Sequence, residues 1–156
     1  MKKAIISDCG KYRYELHREW DKEKGKVLFI MLNPSTACGV SDDLTTIRCM
    51  NFAKKWGYGG IMIGNIYPFR AKRPKDLKKW LKSGVEQDIM CKANPFIAFR
   101  DGIANVSKDN MNHVGDMALG ADIIVCAWGC NHKGNIPDWV KELGDLHYLE
   151  LCDDGI

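Results

Sequence analysis

The 156-residue chain carries 23 Lys and Arg against 20 Asp and Glu, a net charge of +3, with 46% hydrophobic and 28% charged residues. These ordinary globular values exclude a disordered or fibrous chain, and the length suits a single α/β domain over 1–156, able to remove roughly 68–70% of its unfolded surface from water. No run reaches the ~18 apolar residues of a membrane span, and Asp8 breaks the N-terminal segment before a secretory apolar region forms, so no membrane partner and a cytoplasmic location are expected.

Along the chain, Lys11 to Trp20 alternates Tyr12, Tyr14 and Leu16 with Arg13, Glu15 and His17, the period of a half-buried strand, antiparallel and near a sheet edge. A turn over Asp21–Gly25 leads into Val27–Leu32, a continuous apolar run stopped by Asn33-Pro34 and read as a strand buried on both faces. Ser41, Asp42 and Asp43 offer N-caps for a helix from Leu44 to Trp56, which Gly57-Tyr58-Gly59-Gly60 ends. Ile61–Tyr67 is a second apolar strand, and the strand–helix–strand order makes the two strands parallel.

Asp76 to Trp80 and a little beyond is helical, within a basic stretch that holds Arg70, Lys72, Arg73, Lys75, Lys78, Lys79 and Lys82 against the single acid Asp76. Such a stretch is either a solvated helix face or a strip that touches phosphate. Ser83 to Asn105 lacks a period and reads as an irregular or partly helical excursion. Ser107 or Asp109 caps a helix to Leu119, Ile123–Trp128 is a third buried strand, Pro137–Leu143 a helix, and His147–Leu151 a last strand. The alternation predicts a three-layer α/β/α sandwich with a mostly parallel central sheet.

Seven cysteines, at 9, 38, 49, 91, 126, 130 and 152, form no C-x-x-C or Cys/His pairing, which favours reduced thiols over a disulfide framework. Cys126, Cys130 and His132 could be imagined as metal ligands, but Cys126 lies in an apolar strand run, and no metal centre is expected. The chain lacks G-x-G-x-x-G, G-x-x-x-x-G-K, G-x-S-x-G and H-E-x-x-H, so no cofactor and no nucleophilic triad are expected. Asp42 and Asp43 are better explained as capping and helix-dipole residues than as an acid–base pair.

Ligands of open α/β sheets sit beyond the carboxyl ends of the strands. Three apolar runs end there in polar or special residues: Asn33-Pro34-Ser35-Thr36, Asn65-Ile66-Tyr67 and Trp128-Gly129. The Asn33 amide either closes the turn or holds a water or the edge of a base, and Ser35 and Thr36 either cap backbone or touch a phosphate. Asn65 has the two-way amide that pairs with a base edge. Tyr67, Phe69 and Trp128 are stacking platforms or core, and Arg48, Arg70 and Lys72 are phosphate contacts or surface charges.

On the segments Phe29–Ala37, Asp42–Cys49, Phe52–Gly60, Asn65–Tyr67 with Arg70, and Ala127–Gly129, the sequence resembles an uncharacterised bacterial and phage family marked by an L-N-P-S-T-A signature. The order of elements also looks, more distantly, like the uracil-DNA glycosylase superfamily. That resemblance implies that Asn33 positions the attacking water, Asn65 reads the base, and Trp128-Gly129 closes the third strand. It also implies a His-Pro-Ser loop after the last strand, where this chain has Cys152-Asp153-Asp154-Gly155-Ile156, and His147 precedes that strand.

Two functions are therefore expected from one crevice. One is a glycosylase-like protein that takes a nucleobase from nucleic acid or a nucleotide, with hydrolysis of the N-glycosidic bond. The other is a non-catalytic binder of a nucleotide, a nucleotide-derived signal or single-stranded nucleic acid. A purely structural protein leaves the polar residues at three strand ends without a reason.

Overall fold

The computed structural model describes residues 1–83, 106–129 and 137–149, with 106–108 as backbone only. Six described strands, β1 (Lys2–Ile6), β2 (Arg13–Glu19), β3 (Lys26–Met31), β4 (Gly60–Asn65), β5 (Ile123–Cys126) and β6 (Leu146–Tyr148), form one sheet in the order β1-β2-β4-β3-β5-β6. Four described helices, α1 (Leu44–Lys55), α2 (Pro74–Ser83), α3 (Val106–Leu119) and α4 (Asp138–Lys141), complete a mixed α/β fold.

The sheet is partly antiparallel, which qualifies the expected mostly parallel arrangement. β4, β3, β5 and β6 run parallel, while β2 is antiparallel to both β4 and β1. The strand–helix–strand unit of β3, α1 and β4 is parallel as expected, with Val27 opposite Ile61 and Met31 opposite Asn65. β1 was not foreseen. Its Lys-Lys-Ala-Ile-Ile sequence has no alternation of its own and becomes a strand by adding to the outer edge of β2.

β2 is not half-buried: Arg13, Glu15 and Arg18 are buried along with Tyr14 and Leu16, because β1, the 37–42 loop and α3 cover it. The excursion expected over 83–105 starts with Ser83 still inside α2, and the rest lies outside the described residues, as do Cys130, His132 and the end of the last strand beyond Leu149. Cys38, Cys49 and Cys126 are free thiols, whereas Cys9 is disulfide-bonded, against the expectation of reduced thiols throughout.

The sheet is apolar on both sides. On one, Val27, Phe29, Ile61, Ile63 and Val125 pack with Cys49 and Ala53 of α1. On the other, Leu28, Ile30, Met62 and Ile124 meet Val114 and Met117 of α3 and Val140 of α4. Burying each such side chain contributes roughly 1.5–3 kcal/mol, so the unbroken run Val27–Ile30, fully buried at all four positions, anchors the molecule. A Cβ on Gly64 would lie 2.9 Å from Val114 Cγ2, which shows how closely α3 lies on β4.

The connections set where a ligand can enter. β3 continues into α1 on one side of the sheet, whereas β5, beside it, is followed by α4 on the other, and α2, which follows β4, packs with Tyr12 and Tyr14. Loops that part in opposite directions leave a crevice at the carboxyl end of β3.

Candidate functional site

Pro34 has no N–H for the sheet ladder, so β3 cannot extend past Asn33. The chain after β4 instead runs alongside the chain after β3: Ile66 N donates to Met31 O at 2.8 Å, Tyr67 N to Leu32 O at 2.9 Å, and Ala71 N to Pro34 O at 2.9 Å. Asn33 fastens the two loops. Its Nδ2 donates to Ala71 O at 3.0 Å and Pro34 O at 3.1 Å, with Phe69 O at 3.5 Å. The amide therefore does close the turn, and its Oδ1 accepts no hydrogen bond among the described residues.

A cavity of about 620 Å³ opens at this point, lined by Asn33, Tyr67 and Trp128 from the ends of three adjacent strands. That volume is in the range of small-molecule sites. Leu32, Leu77 and Leu81 add apolar lining, and Lys72, Arg73 and Lys78 add basic groups. Arg73 is matched by Asp76, at 2.8 Å from Nε and 3.0 Å from Nη2. Lys72 and Lys78 have no ion-pair partner among the described residues and leave the crevice with positive charge.

The other sequence candidates are placed as follows. Asn65 is fully buried, is not among the lining residues, and has both amide atoms without a hydrogen-bond partner. Its backbone carbonyl accepts from Asn110 Nδ2 at 2.8 Å. Phe69, partly buried, stacks on Trp80 with ring centroids 5.1 Å apart, beside Tyr12, and is not among the residues lining this cavity. Tyr67 joins that cluster from the cavity side, edge-on to Trp80, and Trp128 stands edge-on to Tyr148. Pro34 is buried, Thr36 exposed, and neither the Ser35 nor the Thr36 hydroxyl bonds another described residue. Arg48 is exposed on α1, Gly129 has φ +82°, and Arg70 lies on the 36–37 loop, outside the cavity lining.

Residues 13–147 match the family model described as a protein of unknown function, DUF1643. The chain belongs to the DUF1643 family. No curated protein and no solved structure matches it. The family model spans β2 to β6, and so contains all three strand ends of the crevice, but not β1.

Two groupings in this DUF1643 chain escaped the sequence reading. Pro74, Leu77, Lys78 and Leu81 all line the cavity, and their spacing is one face of a helix, a stripe that was available in the sequence. The second is a carboxylate between two imidazoles: Glu15 accepts from His17 Nε2 at 2.6 Å and from His113 Nδ1 at 2.5 Å, and His113 stacks on Tyr14 with centroids 4.9 Å apart. Burial alone would raise the Glu15 carboxyl, but the bonds from His113 and His17 outweigh it and bring it down to about 2. No sequence signal joins them, since Glu15 and His113 are 98 positions apart. Among the described residues no group of three His, Cys, Asp or Glu is arranged to hold a metal ion, and no helix is long and apolar enough to cross a membrane.

Proposed function

We propose that the crevice at the end of β3 binds a nucleobase, as part of a nucleotide or of nucleic acid, in the manner of a DNA glycosylase-like protein. The supporting observation is that Asn33, Tyr67 and Trp128 line one cavity together with the apolar Leu32 and Leu77 and the basic Lys72 and Lys78. Tyr67 and Trp128 supply aromatic surface for a planar base, the unbonded Oδ1 of Asn33 is an acceptor for a base N–H or a water, and the two ammonium groups suit a phosphate. The uracil-DNA glycosylase-like three-layer reading of the fold, with nucleic acid or a nucleotide as partner, belongs to this proposal.

Stacking on an aromatic side chain is worth roughly 1–3 kcal/mol per base, so Trp128→Ala is expected to weaken binding of a nucleoside or single-stranded oligonucleotide about 5- to 150-fold, measured by calorimetric titration. Binding that is equally tight in wild type and Trp128→Ala rejects the reading. Hydrolysis of the N-glycosidic bond is the catalytic form of the same proposal, with Asn33 Oδ1 orienting water. Its test is release of free base from uracil-containing or modified DNA, in wild type but not in Asn33→Ala. Tight binding without base release assigns the non-catalytic form.

A further inference from the structure

Beside the crevice, on the far stretch of the same loop, two arginines converge, with Asp43 nearby but not ion-paired to either among the described residues. Arg13, at the start of β2, is 3% exposed. Its Nη1 donates to Ala37 O at 2.9 Å, and its buried Nε has no hydrogen-bond partner. Arg70 reaches the neighbouring carbonyl, with Nη2 3.5 Å from Thr36 O and Nη1 3.1 Å from Gly10 O. Its Nε is also buried and unpartnered. Neither guanidinium forms an ion pair among the described residues.

The contrast with Arg18 is informative. Arg18 is equally buried, and Asp42 meets its Nε at 2.6 Å. The other acid nearby, Asp43, is committed to the start of α1, where its Oδ1 accepts from Thr46 N at 2.8 Å and Thr46 Oγ1 at 2.9 Å. A buried charge normally has a partner, because leaving water uncompensated costs several kcal/mol. Burial above all holds the Arg13 guanidinium down at about 10; Asp43 opposes this, and Arg70 and Arg18 add to it. Arg13 therefore remains charged at neutral pH, with Asp43 the strongest charge acting on it and Arg70 and Arg18 next.

A further unsatisfied group lies on the same face of the sheet. The alternation along β4 puts the Asn65 side chain with Ile61 and Ile63, in the cluster that also contains Ala37, and both its amide atoms lack partners. We propose that Arg13 and Arg70, on the α1 side of the 33–38 loop, bind a phosphate-type oxyanion. Two guanidinium forks with free N–H groups match the several acceptor oxygens of a phosphate. Arg70, which is only partly buried, connects the cluster to solvent. The site does not depend on a base occupying the crevice, since neither arginine lines that cavity.

The test uses inorganic phosphate on the full chain, at constant ionic strength against chloride. A ligand at ten times its Kd raises the melting temperature of a chain this size by about 3–6 °C, and the same shift is expected in Trp128→Ala. Arg70→Gln and Arg13→Gln are expected to weaken phosphate at least tenfold; if Arg13→Gln does not fold, Arg70→Gln carries the comparison. A second readout comes from Cys38, whose thiol is brought down to about 7 by Ser41 and the Val40 and Ser41 backbone, with help from Arg70. Bound anion should cancel that help and slow iodoacetamide alkylation of Cys38, followed by peptide mass spectrometry.

A nucleoside monophosphate and a single-stranded oligonucleotide, compared with phosphate in both readouts, distinguish a free phosphomonoester from a nucleic-acid backbone. Equal phosphate shifts in wild type and Arg70→Gln, or no shift and no change in alkylation, overturn the proposal. Loss of base binding in Trp128→Ala with the phosphate response intact separates its fate from that of the crevice reading.

Discussion

Asn33 is the residue whose structural and chemical roles can be pulled apart most cleanly. Its Nδ2 makes two donations of ordinary length, to Ala71 O and Pro34 O, and one at the limit, to Phe69 O. At about 1 kcal/mol net per bond, Asn33→Ala is expected to cost ~1–2 kcal/mol, or about 2–8 °C in melting temperature for a chain of this length. Asn33→Asp should cost more, ~2–4 kcal/mol at neutral pH, because it turns a carboxylate toward carbonyl oxygens that have lost their donor. The sign with pH follows. A carboxyl facing carbonyls has its folded pKa raised above the unfolded value, so the deficit is full at high pH and shrinks as pH falls through the raised pKa. Urea unfolding of the three proteins across pH 4–8, monitored by circular dichroism, measures this. An Asn33→Asp protein as stable as wild type at pH 7 would refute the loop-fastening role and leave Asn33 Nδ2 free for a ligand.

Three further outcomes follow from the packing and electrostatics. Gly64→Ala sets a Cβ 2.9 Å from Val114 Cγ2 and 3.1 Å from Met117 Cε, so the buried Val114 side chain or α3 itself must shift, and a loss of ~1–3 kcal/mol is expected in urea unfolding. Asp43→Ala removes the side-chain cap on Thr46 N and should cost ~1 kcal/mol, with Asp43→Ser recovering most of it. Glu15 has a folded pKa lowered from 4.5 to about 2, so it contributes stability above the unfolded value that is lost as pH falls from about 4.5 toward 2. The stability gap between wild type and Glu15→Gln should narrow over that window; a gap that is flat with pH would show that the two imidazoles do not hold the carboxylate ionised.

What could be read from the sequence was whatever neighbouring residues decide. The run Val27–Leu32 and its Asn33-Pro34 stop, the Asp43 cap and the Gly57–Gly60 break fix β3, α1 and the start of β4 locally, and the structure agrees with them to within a residue or two. β2 went differently. Its alternation promises an outer polar face, yet Arg13 and Glu15 are covered by Ala37 and His113, partners 24 and 98 positions away. β1 likewise exists through its pairing with β2, not through any period in Lys2–Ile6. Tertiary cover of this kind has no signature in a window of ten residues. The location of the cavity was legible because the β3–α1–β4 unit and the apolar β5 run were, whereas the burial of Asn65 comes with distant parts of the chain packing around the end of β4, Asn110 of α3 bonding its backbone carbonyl among them.

The two halves of the 33–38 loop differ for a reason the fold supplies. β3 lies between β4 and β5, and its outgoing chain is the one that turns toward α1, so Asn33 faces the loops of both neighbours while Ala37 passes under β2. Neutral and aromatic residues gather on the first stretch, with lysines at its margin, and the buried Arg13 and partly buried Arg70 gather on the second. A ligand with one charge type and one shape cannot satisfy both stretches. A nucleotide is a molecule of the opposite kind, planar at one end and anionic at the other, and both proposals become one if the nucleoside monophosphate binds more tightly than either the nucleoside or phosphate alone. Double-variant analysis decides this: for a bridging ligand, Trp128→Ala and Arg70→Gln should each weaken the monophosphate, whereas phosphate should respond to Arg70→Gln alone. A monophosphate affinity that is indifferent to one of the two variants would keep them as separate sites.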